Sequence, residues 1–223
     1  MSLDGNSSLI TTNWESPPSK PMNLMKDWLK QAQGCISEPL GMTLTTVDRD
    51  QPARSTVVLV KELSESSIIF GSSSLSQKGA NIKDNPQVFG CFWWRESIQQ
   101  IHFRGFAAIA SVEKSDQLFY RRSRSAQAVA LSSQQSQPLE SELDLKTRFE
   151  ALKNSEQPLT RPPTWNVYEI MPIEYEFWQG DSSRLHKRLL YSLQIPQVDF
   201  SQISNLNGVD LTLGSWTQQR LQP

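Results

Sequence analysis

Histidine and cysteine are scarce in this chain: His102, His186, Cys35 and Cys91 are all that 223 residues contain. A zinc or iron site built from His and Cys has too few ligands here, and no metal is expected. No CxxC pair or disulfide framework exists, so both thiols are expected to be reduced. Also missing are GxGxxG, the P-loop pattern, HExxH and GxSxG, the usual signatures of dinucleotide binding, phosphoryl transfer, zinc proteolysis and serine hydrolysis. Charge of one sign is not in excess, with 22 Lys+Arg against 23 Asp+Glu, which argues against a nucleic-acid-coating role. No apolar run approaches the ~18 residues of a membrane helix. The opening MSLDGNSSLITTNWESPP has neither the basic start nor the apolar stretch of a secretory signal. A cytoplasmic location follows as the default, and any chemistry is expected to belong to a bound group.

What is present reads as one globular domain. Hydrophobic residues make up 37%, and the length suits a single core. Residues 1–20 are expected to form a flexible tail and residues 21–223 the domain. Met22 to Gly34 places Met25, Trp28, Leu29 and Ala32 on one helical face, with Gly34 as the stop. Gly41 to Val47 and Arg54 to Lys61 read as strands joined by a turn over 48–52, and Ser67 to Phe70 as a third. Ser76 caps a short helix ending at Asn85 and Pro86. Gln87 to Arg95 and Ile98 to Val112 are strand-like. Helices are expected over Lys114 to Arg122 and Asp144 to Lys153, with a Ser/Gln-rich loop at Ser132 to Gln137 between them. Strands return at Asn166 to Ile173, Glu174 to Trp178, Arg188 to Leu193 and Leu211 to Leu221. Many short strands with few helices predict a mainly β, α+β architecture: an antiparallel barrel with peripheral helices.

Three stretches could carry chemistry. Ser72 to Lys78 collects hydroxyls, free N–H groups and an ammonium at a helix start, which suits a phosphate; an ordinary capped helix with a solvated lysine is the plainer reading. In an extended segment, Arg184, His186 and Arg188 would share a face near Trp178 and favour a carboxylate, a phosphate or an electron-rich ring; a solvent-facing strand is the alternative. Arg121, Arg122 and Arg124 close a helix, where cations complement the dipole. Gln99 and Gln100 interrupt a strand, as solvent-facing residues do.

Taken together, RSTVVLVK, the SQKG loop, WWRESIQQI, EFWQG with RLHKR, and the terminal RLQP resemble the pyridoxamine 5′-phosphate oxidase family from about Pro21 to Pro223. FWQG with RLHxR is the specific part. ISEP, SQKG and WRE with QQI resemble the family's phenazine-biosynthetic branch. The resemblance implies a split β-barrel homodimer with FMN in each of two clefts between subunits. It implies cofactor contacts at Thr56, Val57, Val58, Lys61, Gly71, Ser72, Gln77, Lys78, Gln100, Gln135, Ser136, Trp178 and Arg188, some of them from the partner. Arg122, Arg184 and His186 fall where the family holds its substrate. The implied activity is dehydrogenation of reduced phenazine carboxylates with O2 as acceptor and H2O2 as product. No acid–base residue is demanded, although His186 is placed to take a proton.

Two departures bear on this. Thr56 stands where the family uses an arginine on the FMN phosphate; losing such a partner costs ~2–5 kcal/mol, and Arg54, two residues earlier on the same face, is a candidate substitute. The vitamin oxidases hold their substrate's phosphate with Tyr, Arg and Ser, and those positions here are Leu118, Arg122 and Ala126, with Tyr120 near in register. Pyridoxamine or pyridoxine 5′-phosphate oxidation, and flavin binding without turnover, therefore remain as alternatives.

Overall fold

The computed structural model describes residues 5–47, 52–199 and 208–223; the turn expected over 48–52 lies outside them except for Pro52. The chain starts with α1 (Pro21–Ala32), then β1 (Gly41–Thr46), β2 (Arg54–Leu63), β3 (Ile68–Ser73), α2 (Gln77–Asp84), β4 (Gln87–Trp94) and β5 (Gln99–Ile109). Three helices follow, α3 (Val112–Tyr120), α4 (Arg124–Ser132) and α5 (Glu142–Asn154), and then β6 (Trp165–Gln179), β7 (Lys187–Gln194) and β8 (Ser215–Leu221). No described helix is long and apolar enough to cross a membrane.

The strands form one antiparallel sheet in the order β3-β2-β1-β4-β5-β6-β7-β8, and an additional β3–β6 pairing closes its first six strands into a barrel. Along the edge away from β5, β6 has two successive partners. Its first half pairs with β3, Ser72 opposite Asn166, and its second half with β7, Trp178 opposite Arg188. The sequence suggests a break near Ile173, but β6 runs on as one strand. Pro172 lies opposite Gly105 at a register shift, where the missing proline N–H is not needed by the ladder. Gly105 is required there: a Cβ would meet the Met171 carbonyl at 2.4 Å.

Inside the barrel, Met42, Leu44, Phe70, Phe92, Phe103 and Ile170 are buried. α1 closes the barrel with the face expected of it, Met25, Trp28, Leu29 and Ala32 all buried, and Gly34 beyond it takes φ 88. Helix α4 lies in a stretch ahead of the Ser132 to Gln137 loop for which the sequence predicts no element. Its Ala-rich RSAQAVALS holds no wide apolar stripe, but Ser123 caps it by accepting from the Ala126 N–H.

Residues 5–20, which belong to the expected flexible tail, lie against the domain. Ile10 is 1% exposed and Trp14 is buried against Trp28. The Trp28 Nε1–H donates to Thr12 Oγ1 at 2.6 Å, and the Tyr191 hydroxyl donates to the Pro18 carbonyl at 2.7 Å.

Candidate functional site

The serine-rich loop between β3 and α2 brings its polar groups together. The Lys78 ammonium donates to Ser72 Oγ at 3.2 Å and lies 3.5 Å from Ser76 Oγ. Ser76 caps α2 by accepting from the Gly79 N–H at 3.2 Å, and it is itself fully buried. Gly79 permits the close turn, because a Cβ would meet the Ser73 and Ser74 carbonyls at 2.7 Å. Among the described residues no carboxylate comes within ion-pair distance of Lys78, and burial pulls its pKa below the usual lysine value. A half-buried ammonium whose only partners are hydroxyls is an incomplete arrangement, and an anion completes it. The first N–H of α2, that of Gln77, donates to Ser136 Oγ at 3.2 Å. Ser136, expected with Gln135 among the flavin contacts, therefore reaches this loop from its own chain, at a backbone φ of 72°.

Gly71 joins the same group for a packing reason: a Cβ there would lie 2.5 Å from the Trp165 ring. The Arg122 guanidinium stacks on the same indole, 4.7 Å from the ring centroid. Arg122 Nη1 is buried with no hydrogen-bond partner, and desolvation lowers the pKa of the group. Leu118, one helical turn earlier, is buried beside Phe119, Trp165, Val167 and Ile69. Arg122 and Trp165 thus lie against Gly71 of β3, the residue that precedes Ser72 of the cradle in the chain.

β2 supplies its candidates on two faces. Thr56 and Val58 are half-buried toward the barrel, whereas Val57 is 68% exposed and Lys61 is exposed on the other side. Because these side chains alternate between faces, a planar ligand along Thr56 to Lys61 would meet alternate side chains and the backbone. Arg54 lies opposite Thr46, whose hydroxyl accepts from Asn81 of α2 at 3.1 Å.

The remaining candidates gather elsewhere. Gln100 is paired across the sheet with Trp93 and Trp178. Trp178 lies 6.3 Å from Trp93 and 4.8 Å from the His186 ring. The Asp181 N–H donates to His186 Nδ1 at 3.1 Å, which leaves Nε2 to donate. Arg184, His186 and Arg188 do not share a strand face as expected. Residues 181–186 form a turn with Arg184 at φ 70, and β7 starts only at Lys187. Arg188 is held by Glu176 in a two-point ion pair, 2.7 and 3.1 Å. Gln99 points inward rather than to solvent: it is fully buried, with its amide 3.5 Å from the Ile10 carbonyl.

Sequence reasoning missed Trp165, whereas Ser76 falls within the stretch from Ser72 to Lys78 that suits a phosphate. Nothing in the sequence marks Trp165 as the plate under Arg122, since that contact joins α3 to β6.

A closed antiparallel barrel with a hydroxyl-and-lysine cradle on one edge and an aromatic–histidine turn on another is a class of barrel whose donors and rings suit an anionic, planar ligand. The comparisons are more specific. Residues 29–154 match the family described as pyridoxamine 5′-phosphate oxidase, and residues 165–223 match the pyridoxine 5′-phosphate oxidase C-terminal dimerisation region. The chain belongs to the pyridoxamine 5′-phosphate oxidase family, which makes it an oxidoreductase. It is 38% identical to a pyridoxine/pyridoxamine 5′-phosphate oxidase of Nostoc punctiforme over 77% of this chain and 82% of that protein. It is 29% identical to a dihydrophenazinedicarboxylate synthase of Pseudomonas chlororaphis over 100% of this chain and 92% of that one. The crystal structure of PhzG from Burkholderia lata 383 in complex with tetrahydrophenazine-1-carboxylic acid superposes with a TM-score of 0.86. That match has 30% identity and covers 98% of this chain and 100% of that one.

Proposed function

We propose that the protein is an FMN-dependent oxidase that dehydrogenates reduced phenazine carboxylates in phenazine biosynthesis. The observation that carries this reading is Arg122: a guanidinium stacked on Trp165, with a buried and unpartnered Nη1, flanked in sequence by Leu118 and Ala126, which offer no hydroxyl. A single fork suits a carboxylate. A phosphate dianion asks for the additional donors that these positions lack, and each charge-assisted hydrogen bond is worth ~1.5–3 kcal/mol. Full-length similarity to the phenazine enzymes supports the same choice.

FMN fits the cradle as an anion fits an unmatched ammonium. Lys78, Ser72 and the Gln77–Ser136 contact would hold its phosphate, and Gln100 and Trp178 would approach the ring. Bound there, FMN supplies two-electron acceptance, with O2 as terminal oxidant and H2O2 as product. The protein's own residues orient and neutralise: Arg122 holds one carboxylate, Arg184 and His186 Nε2–H hold the opposite edge, and the aromatic walls exclude water.

The two ends belong to different chains. From Asn166, beside Ser72, to Trp178, beside Gln100, β6 advances twelve residues, about 40 Å at ~3.3 Å each. One FMN cannot bridge that length. Two copies related by a twofold axis would bring each chain's cradle to the other's turn, and the dimerisation-region match supports such pairing.

The test is turnover. Purified protein should be yellow, and it should consume oxygen with tetrahydrophenazine-1-carboxylic acid far faster than with pyridoxamine 5′-phosphate. The reverse preference sinks the substrate assignment, and failure to take up FMN sinks the whole reading. Arg54 is expected to help hold the phosphate in place of the missing family arginine, so Arg54→Ala should weaken FMN by about tenfold or more in a fluorescence titration.

A further inference from the structure

The loop before β6 carries an arginine that the site above leaves unused. The Arg161 side chain is 10% exposed. Its Nε–H donates to Asp116 Oδ1 at 2.6 Å, and Nη1 donates to the Trp165 carbonyl at 2.7 Å and to Asn166 Oδ1 at 3.5 Å. Asp116 lies on α3, the helix that runs into Arg122. Trp165 is the residue on which the Arg122 guanidinium rests. One side chain therefore grips both the helix that carries Arg122 and the plate beneath it. A second tie crosses the same joint, the Val167 N–H donating to the buried Ser115 hydroxyl at 3.1 Å, but it holds only backbone to helix. An apolar residue in place of Arg161 would avoid the desolvation cost, whereas a planar fork bonded at two acceptors fixes a distance and an angle.

We propose that Arg161 is a positioning residue for the carboxylate arm. It sets the spacing between α3 and Trp165, and through it the aim of the Arg122 Nη1–H. The inference rests on Arg122 being that arm.

The test is equilibrium binding to the FMN-loaded protein. Phenazine-1-carboxylic acid and unsubstituted phenazine are titrated into the parent, Arg161→Met, Arg161→Lys, Asp116→Asn and Arg122→Met, with flavin content and melting temperature measured for each. Arg161→Met should weaken the carboxylate by about tenfold or more and leave phenazine binding and flavin content unchanged. Arg161→Lys, which can reach one acceptor but not both, should fall between. KM for the carboxylate substrate should rise by the same factor, with kcat within about twofold. Equal weakening of both ligands would mean a general structural role and overturns the proposal. If Arg161→Met does not fold, Asp116→Asn takes its place, and carboxylate binding at the parent level there overturns it. Parent-level binding in Arg161→Met beside a weakened Arg122→Met removes this inference alone; parent-level binding in Arg122→Met removes the arm and the inference together.

Discussion

Lys78 draws two consequences of opposite sign from one burial. Its charge is held among hydroxyls without a carboxylate, and desolvation depresses its pKa, so in the FMN-free protein the ammonium is an uncompensated cost. Once a phosphate is present, the same lack of an internal partner leaves the whole charge for the ligand. Lys78→Met should therefore leave the melting temperature of the flavin-free protein unchanged or slightly raised. FMN affinity should fall by about thirtyfold or more, from the ~2–5 kcal/mol lost when one partner of a buried charge pair is truncated. Paired melts and flavin titrations read the two effects separately, and a variant that loses flavin only because it unfolds would contradict the first half.

His102 offers a pH dependence at the same scale. It sits on β5 beneath the Phe89 ring, near Glu176 and Arg188, and burial pulls its pKa below 6.5, with Glu176 opposing and Arg188 adding. A histidine with a depressed folded pKa binds its proton more readily when unfolded. Stability therefore rises with pH up to about 6.5 and declines as pH falls below it, until the folded pKa is passed. The melting temperature should drop between pH 7.5 and pH 5.5, and His102→Asn should reduce that drop; an unchanged drop would assign it to other groups.

Among the elements, the N-terminal strap shows where sequence reading stops. Its composition, polar and broken by prolines, gives no periodic signal, and so it reads as a tail. Its anchors are isolated: Ile10 and Trp14 bury apolar surface, and Thr12 and Pro18 supply single acceptors to Trp28 and Tyr191. Contacts of that kind depend on what the body presents and leave no period behind. Ile10→Ala should cost about 2–4 kcal/mol, as for a buried aliphatic truncation, measurable by denaturant unfolding; a cost under about 0.5 kcal/mol, typical of surface sites, would mean the strap does not pack this way. By contrast, α1 and the strands were legible because their periods repeat over whole elements. The centre of the cradle was legible because SSSLSQKG is local and holds Ser72, Ser76 and Lys78 together, whereas Ser136 reaches it from a distant part of the chain. The turn over 181–186 was not: an extended reading placed Arg184, His186 and Arg188 on one face, whereas a positive φ at Arg184 turns the chain before the strand begins. Arg161 and Trp165 escaped for a third reason, because their meaning lies in the α3–β6 joint, and only the fold creates it.

At the scale of the whole molecule, the outward face of the sheet exposes Val57, Leu59, Phe89 and Trp93, an apolar set that a second copy would cover. If each FMN cleft takes its cradle from one chain and its aromatic–histidine turn from the other, two defects placed on different chains can complement. At an FMN concentration that saturates the parent but not a cradle weakened by about thirtyfold, Lys78→Met lacks a working cradle, and the double variant Arg184→Ala/His186→Ala lacks a working turn, so each homodimer should be nearly inactive. Unfolded together and refolded as an equal mixture, half of the dimers would be mixed, and each mixed dimer would hold one cleft with both defects and one with neither. About a quarter of the parent activity should return, and it should scale with the fraction of mixed dimers as the mixing ratio is varied. A site contained within one chain predicts no recovery at any ratio, because every chain in the mixture carries a defect of its own.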